Sequence, residues 1–264
     1  VIDGKPVWLI GCGNMGGAML RRWLAAGLSP DRVTVVTRGA ADLPPGVRHL
    51  HAVPADEPVD TLILAFKPQQ LRDVAPSLAT VRPRLLLSIL AGVDCGTLAR
   101  AISADAVVRA MPNLPVAIGQ GVTALFSESD DPETRVVAEA LVAPLGHHEW
   151  IADESLFDAV TALAGSGPGF LFRYIDALAR AGEAMGIPRD QAARLALATV
   201  AGSAAMARDA DEPPATLADR VASKGGSTRK GLDVLDDGGA LVRLLTRTLE
   251  ASRQRNREMA AEAR

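Results

Sequence analysis

Apolar positions along the chain follow two regimes that meet near residue 150. Before that point, short unbroken apolar runs at residues 6–10, 32–36, 59–66, 85–90, 106–111 and 121–126 alternate with helical spacing at 15–26, 69–80, 97–103 and 132–145. Runs without polar alternation predict strands covered on both faces, and their interleaving with helices predicts a largely parallel sheet flanked by helices. Beyond Trp150 the strand signal ends. Ala- and Leu-rich segments at 153–164, 168–185, 188–209, 214–222, 227–237 and 239–262 carry the helical period and are punctuated by Gly or Pro. Residues 1–152 are therefore expected to form an α/β domain and residues 153–264 an all-α domain. In the stretch 191–206, Ala192, Ala193, Leu195, Ala196, Leu197, Ala198, Val200 and Ala201 surround the helix. Such a helix needs cover on several sides, which predicts a homodimer interface in the helical domain, against the alternative of a self-contained bundle.

Two glycine loops carry the candidate chemistry. Gly11-Cys12-Gly13-Asn14-Met15-Gly16 follows the first strand and opens a helix with Met15, Met19, Trp23 and Leu24 at helical spacing. That context gives the G-x-G-x-x-G pattern its meaning: the first glycine for a tight turn, the second for close approach of a pyrophosphate, the third for helix–strand packing. The α/β domain is thus read as a Rossmann-type, dinucleotide-binding domain. The second strand ends in Thr37-Arg38 where a site selecting NAD has an acid, and a hydroxyl beside a guanidinium suits a 2′-phosphate, so NADPH is expected, with NADH as the alternative. The second loop, Ser223-Lys224-Gly225-Gly226-Ser227-Thr228-Arg229-Lys230-Gly231, precedes a helix and offers backbone N–H groups to a carboxylate or phosphate. One dinucleotide and one small acid are the implied ligands.

Bulk properties narrow the partners. The 264 residues carry a formal charge of −3 and only 3% aromatic residues, which argues against nucleic acid and in favour of a small molecule. No apolar run is long enough to span a bilayer and residues 1–5 do not read as a secretion signal, so a cytoplasmic protein is expected. Two cysteines make neither a disulfide framework nor a metal cluster, and no metal is expected. Cys12 and Cys95 read as small fillers. His147-His148 point to opposite faces of a strand with no acid in sight.

Further loops fall at the carboxyl edge of the sheet, where open α/β proteins bind ligands. Ala65-Phe66-Lys67-Pro68-Gln69 follows the strongest strand, with Pro68 ending it; Lys67 is a candidate acid or an ordinary strand-end lysine. Ser88 to Val93 and Arg109-Ala110-Met111-Pro112-Asn113 end later strands, and the Asn113 amide offers a donor and an acceptor to a ligand. Gly165-Ser166-Gly167-Pro168-Gly169-Phe170 lies at the domain boundary, with Ser166 as a helix N-cap, and reads either as close packing or as a small-residue wall beside a nicotinamide.

Taken in order, the blocks at residues 11–16, 65–69, 88–93, 109–113, 164–168 and 225–228 resemble the pyrroline-5-carboxylate reductases over nearly the whole chain. The resemblance implies a Rossmann domain followed by a helical dimerisation domain, with NAD(P)H-dependent reduction of Δ1-pyrroline-5-carboxylate to L-proline as the activity. It also implies interlocked dimers, sometimes assembled into decamers, with the glycine-pair loop forming part of the substrate site. In this light the cofactor contacts fall to Gly11, Cys12, Gly13, Asn14, Met15, Gly16, Thr37, Arg38, Ala65, Phe66, Lys67 and Pro68, and the substrate contacts to Gly225, Gly226, Ser227, Thr228 and Asn113. The substrate carboxylate is assigned to the backbone N–H groups of Gly226, Ser227 and Thr228 with the Ser223 hydroxyl beside them. Ser223 and Thr228 are the catalytic candidates, Thr228 through a hydroxyl contact with the imine nitrogen; Lys224 and Lys230 add attraction for an acid.

The chain departs from the family pattern at Lys224, where proline is usual, and at Ala52, where asparagine is common; the acid preceding the loop corresponds to Asp211 or Glu212. Competing readings are a reductase of a six-membered cyclic imine or of a 3-hydroxy acid, and a nucleotide-binding homologue without catalysis. The 3-hydroxy-acid reading expects a lysine on the first interdomain helix, and residues 165–184 hold Arg173 and Arg180 but no lysine.

Overall fold

The computed structural model describes residues 4–39, 42–54 and 57–262, with side chains to residue 259. Strands β1 (Val7–Ile10), β2 (Val33–Val36), β3 (Arg48–Leu50), β4 (Thr61–Leu64), β5 (Leu85–Ser88), β6 (Ala106–Pro112), β7 (Gly121–Phe126) and β8 (Gly146–Trp150) form one sheet in the order β3-β2-β1-β4-β5-β6-β7-β8. All neighbours are parallel except β6 and β7, which pair antiparallel with Pro112 opposite Thr123. Helix α1 (Asn14–Ala25) follows β1, α2 (Leu71–Val74) follows β4, α3 (Cys95–Ala101) follows β5 and α4 (Pro132–Val142) follows β7.

The unbroken apolar runs have the expected cause. Successive residues of β1 point into two different cores: Val7 and Leu9 pack with Met19, Leu20 and Trp23 of α1 and Leu141 of α4, whereas Trp8 and Ile10 pack with Leu71, Leu78 and Leu98 on the other face. The Trp23 indole N–H, buried with the ring, donates to the Leu141 carbonyl at 2.6 Å and ties α1 to α4. Chain direction diverges at β1, with β2 on one side and β4 on the other. The crevice this creates at the carboxyl ends of the strands is where the glycine loop sits.

Three expectations need correction. Residues 69–80 do not form one helix but a 3-10 turn at Pro68–Gln70, the single turn α2 and a further 3-10 turn at Ala75–Leu78. Pro76 lacks the N–H that would continue an α-helix. β3 carries no apolar run, because a three-residue, partly exposed edge strand needs none. Ser166 is not an N-cap. α5 (Phe157–Val160) passes into a π-turn at Thr161–Gly165, and Ser166 keeps right-handed helical angles while its N–H donates to the Thr161 carbonyl at 2.9 Å.

By packing, the described residues up to Ser166 group with those from Ser252 onward, and Gly167–Ala251 forms a second unit. Residues 153–166, helical and therefore grouped with the C-terminal half by sequence, pack with the sheet. Arg109 of β6, its side chain 9% exposed, donates to Glu154 at 3.0 Å and lies 4.3 Å from the centre of the buried Phe157 ring. The same carboxylate accepts the Cys95 N–H at 2.9 Å.

The second unit is entirely helical: α6 (Gly167–Ala184), α7 (Arg189–Asp209), α8 (Pro214–Val221), α9 (Ser227–Asp236) and most of α10 (Ala240–Glu262). α6 and α7 pack as a hairpin through Gly182, Ala192 and Ala196. Within one chain α7 buries only Ala192 and Ala196; Leu195 and Leu197 stay open, as do Phe172, Tyr174, Val242 and Leu244 on neighbouring helices. The cover expected for α7 is thus not supplied by the described residues of the chain. No helix among the described residues is long and apolar enough to cross a membrane.

Candidate active site

Gly11 begins the first loop with φ +86°, and its N–H donates to the Val36 carbonyl at 2.8 Å. A Cβ there would stand 2.7 Å from the Ala65 carbonyl oxygen, so the turn excludes every residue but glycine for two separate reasons. Gly16 lies against the same strand end: a Cβ on it would reach the Ala65 Cβ at 3.0 Å. Gly13, the residue before α1, is the opposite case, with nothing within 4 Å of a Cβ position. The loop is tight where it meets protein and open where it meets solvent. α1 starts with no acid in its first turn and no side-chain cap, which leaves the N–H groups of its first turn and the positive end of its dipole for an anion.

The remaining residues assigned to this pocket surround it. Asn14 is the exposed first residue of α1, while Cys12 and Met15 pack part-buried against the core. The Ala65 N–H donates to the Ile10 carbonyl at 2.8 Å, and the Phe66 Cβ lies beside Gly11. Lys67 is exposed and its N–H donates to Gln70 Oε1 at 3.2 Å, so Pro68 opens the following turn with its entry already capped. Thr37 is half-buried and bonded through its N–H to the Leu50 carbonyl at 3.0 Å. Arg38 is exposed and, among the described residues, has no carboxylate partner.

Neither thiol is poised for chemistry. Burial raises the Cys12 pKa, with Arg21 opposing in part. Cys95 is pushed up to about 12 by burial and by the Glu154 carboxylate. His147 does have an acidic partner, Glu149 at 3.2 Å, two residues along the same exposed strand face. That pairing corrects the isolation read from sequence; alternation places i and i+2 together.

Asn113 directly follows β6 and is 7% exposed. Its Oδ1 accepts the Val122 N–H at 2.8 Å and its Nδ2 donates to the Ala164 carbonyl at 3.0 Å. The amide foreseen as a ligand contact is therefore engaged at both ends within the protein.

The second loop has its own logic. The Gly226 N–H donates to the Ser223 carbonyl at 2.9 Å, closing a turn with Lys224 and Gly225 at its centre and Gly225 at φ +76°. That left-handed third residue is the mark of a type II turn. Gly226 then precedes α9; a Cβ on it would meet the Ser223 Oγ at 2.5 Å, so the hydroxyl lies over the start of the helix. The Gly226 N–H is spent on the turn and is not available to a substrate, contrary to the sequence assignment. The first α9 bond runs from the Lys230 N–H to the Gly226 carbonyl at 3.2 Å, which leaves the N–H groups of Ser227, Thr228 and Arg229 ahead of it. α9 has no acid in its first turn. Ser227 and Thr228 are exposed, and Arg229 is held by Asp219 at 2.6 Å. Glu212, one of the two residues offered as the acid before the loop, pairs with Arg220.

Lys224 occupies a turn position that favours proline, and among the described residues its N–H donates to no backbone carbonyl. Lys224→Pro is therefore expected to raise stability by about 0.4–1 kcal/mol through the unfolded chain. Urea unfolding at equal protein concentration checks it, and a lowered midpoint would refute the turn assignment.

Comparisons with known proteins converge on one family. Residues 154–259 match the model for pyrroline-5-carboxylate reductase dimerisation, and residues 6–92 match a model described as NADP oxidoreductase, coenzyme F420-dependent. The pyrroline-5-carboxylate reductase of Glycine max is 34% identical over 97% of each chain, and that of Pseudomonas aeruginosa 32% identical over 95% of each. Among solved structures, a pyrroline-5-carboxylate reductase from Coxiella burnetii superposes with a TM-score of 0.87 at 28% identity, covering 97% of this chain and 98% of its own. With relatives in plants and bacteria matched from end to end at this level, the chain belongs to the pyrroline-5-carboxylate reductase family.

Proposed function

We propose that the protein reduces Δ1-pyrroline-5-carboxylate to L-proline with NADPH. The observation that carries this reading is the presence of two uncapped helix starts in one chain of this family: the α1 start behind an open Gly13, assigned to a pyrophosphate, and the α9 start behind Gly225-Gly226, assigned to a carboxylate. Residues 1–152 then serve as the dinucleotide-binding domain and 153–264 as the dimerisation and substrate domain.

The residues of the first loop fit a dinucleotide. Gly13 and the α1 N–H groups receive the pyrophosphate, and Ala65 to Pro68 border it at the neighbouring strand end. Thr37 and Arg38 receive the 2′-phosphate, for which Arg38 supplies a guanidinium that no carboxylate among the described residues neutralises. Arg38→Ala is expected to weaken NADPH about tenfold or more while leaving NADH nearly unchanged, as loss of one charge-assisted contact predicts. Fluorescence titration with both cofactors measures this; equal losses would remove the 2′-phosphate contact.

Bound NADPH would supply the hydride that converts the imine carbon from CH=N to CH2, and the nitrogen would gain a proton to become the secondary amine. The protein's part is orientation and charge. The N–H groups of Ser227, Thr228 and Arg229 and the Ser223 hydroxyl hold the substrate carboxylate. The Thr228 hydroxyl contacts the imine nitrogen; as a weak acid it orients rather than protonates, so the proton comes from water or enters with a protonated imine. Lys224 and Lys230 draw the anion in. Fixing the imine carbon against the cofactor supplies several kcal/mol, roughly the advantage of an oriented pair over free reactants.

The bare apolar faces of α6, α7 and α10 are proposed to meet a second copy of the chain. A homodimer is the functional unit, with further assembly into decamers open to the same interface logic. Free Cys12 and Cys95 suit a reducing compartment, and the cytoplasm is the proposed location. Purified protein offered NADPH with either the five-membered imine acid or its six-membered analogue should turn over the first. Turnover of the six-membered compound alone would replace this substrate while keeping the reaction type.

A further inference from the structure

The Asn113 amide is explained by a gap 51 residues along the chain. In an α-helix the Ala164 carbonyl would accept the N–H of residue 168, which is Pro168 and has none. The proline ring also crowds that carbonyl. The chain answers with the π-turn Thr161–Gly165, closed by the Ser166 N–H on the Thr161 carbonyl, and among the described residues no backbone donor reaches the Ala164 carbonyl. Asn113 Nδ2 supplies the donor at 3.0 Å, and its Oδ1 is pinned in turn by the Val122 N–H. Beside it, a Cβ on Gly165 would stand 3.3 Å from the Met111 side chain, so the turn rests directly on the end of β6.

We propose that Asn113 is a positioning residue, which holds the small-residue turn Ala164–Ser166 at the carboxyl edge of the sheet by supplying the hydrogen bond that Pro168 takes away. That edge also carries the glycine loop, so the turn walls the region into which the nicotinamide end of an extended dinucleotide reaches. The inference rests on the reductase reading above, through its effect on rate. The Asn113–Pro168 dependence itself does not.

The test is a double-mutant cycle at pH 8. Asn113→Asp keeps the acceptor for Val122, loses the donor and places a carboxylate against the Ala164 carbonyl. It should lower kcat about tenfold or more, since small misplacements near reacting atoms are costly, with KM for the pyrroline carboxylate and the Kd for NADPH changed less than about threefold. Pro168→Ala restores an N–H at residue 168, and in that background Asn113→Asp should cost less than about threefold in kcat, because the carbonyl has a helical donor again. Tm across the same four proteins should show the same non-additivity and needs no substrate, so failure of the reductase reading and failure of this inference are distinguishable. If Asn113→Asp alone does not fold, the Pro168→Ala background must restore NADPH binding. A KM increase of equal size in both backgrounds would make Asn113 a substrate contact, and equal kcat and Tm losses in both would end the Asn113–Pro168 account.

Discussion

Gly11→Ala is expected to produce the largest single loss in this protein. The residue stands at φ +86°, a region that costs an alanine roughly 1–2 kcal/mol, and the added Cβ would lie 2.7 Å from the Ala65 carbonyl oxygen and 2.9 Å from its carbon. Both contacts are backbone, held on one side by the Ala65 N–H to Ile10 bond and on the other by the Gly11 N–H to Val36 bond, so neither neighbour yields cheaply. Relief must come from opening β1 from β4 at the crevice. A destabilisation of about 2–4 kcal/mol and a rise of at least about a hundredfold in the Kd for NADPH follow. Thermal unfolding and fluorescence titration measure them. Gly13→Ala makes the contrast: nothing among the described residues lies within 4 Å of its Cβ, so stability should hold while the cofactor, whose pyrophosphate is proposed to take that space, is lost. Equal stability losses for the two variants would contradict the division between a packed and an open glycine.

Thr228→Ala is the second. Thr228 stands in the first turn of α9, exposed, and the turn at Ser223–Gly226 forms without it. Truncation should therefore leave the fold and NADPH binding intact while kcat/KM for pyrroline-5-carboxylate falls by tens of fold, the scale of losing one polar partner of the bound substrate. Thr228→Ser, which keeps the hydroxyl, should recover most of it. An unchanged kcat/KM in Thr228→Ala would remove the hydroxyl from the mechanism.

The parts of this molecule that were legible in its sequence are those governed by local sterics. Gly11, Gly13 and Gly16 announce a turn, an open face and a packed face because each role depends on what a single Cβ would strike. Buried strands such as β1 and β5 announce themselves because both faces are covered. β3 did not, since in a three-residue edge strand only Leu50 packs against the core while Arg48 is exposed and paired to Glu57. Contacts between distant segments were the other blind spot. Asn113 was visible as a polar residue at a strand end, but its partner depends on a proline 55 positions later and a carbonyl between them. Arg109 and Glu154, 45 residues apart, likewise read as two ordinary charges until the fold joins them. The Gly226 N–H looked available because the turn that uses it is closed by a backbone bond invisible to side-chain patterning.

The claim at the centre is hydride transfer from NADPH to the imine carbon of pyrroline-5-carboxylate. Turnover with NADPH deuterated at nicotinamide C4, followed by mass spectrometry of the product, tests it most directly. L-proline carrying one deuterium at C5 is expected from the NADPH labelled on the transferred face, and unlabelled L-proline from the other. NADPH oxidation without labelled proline, or no oxidation while NADPH binds normally, would contradict it.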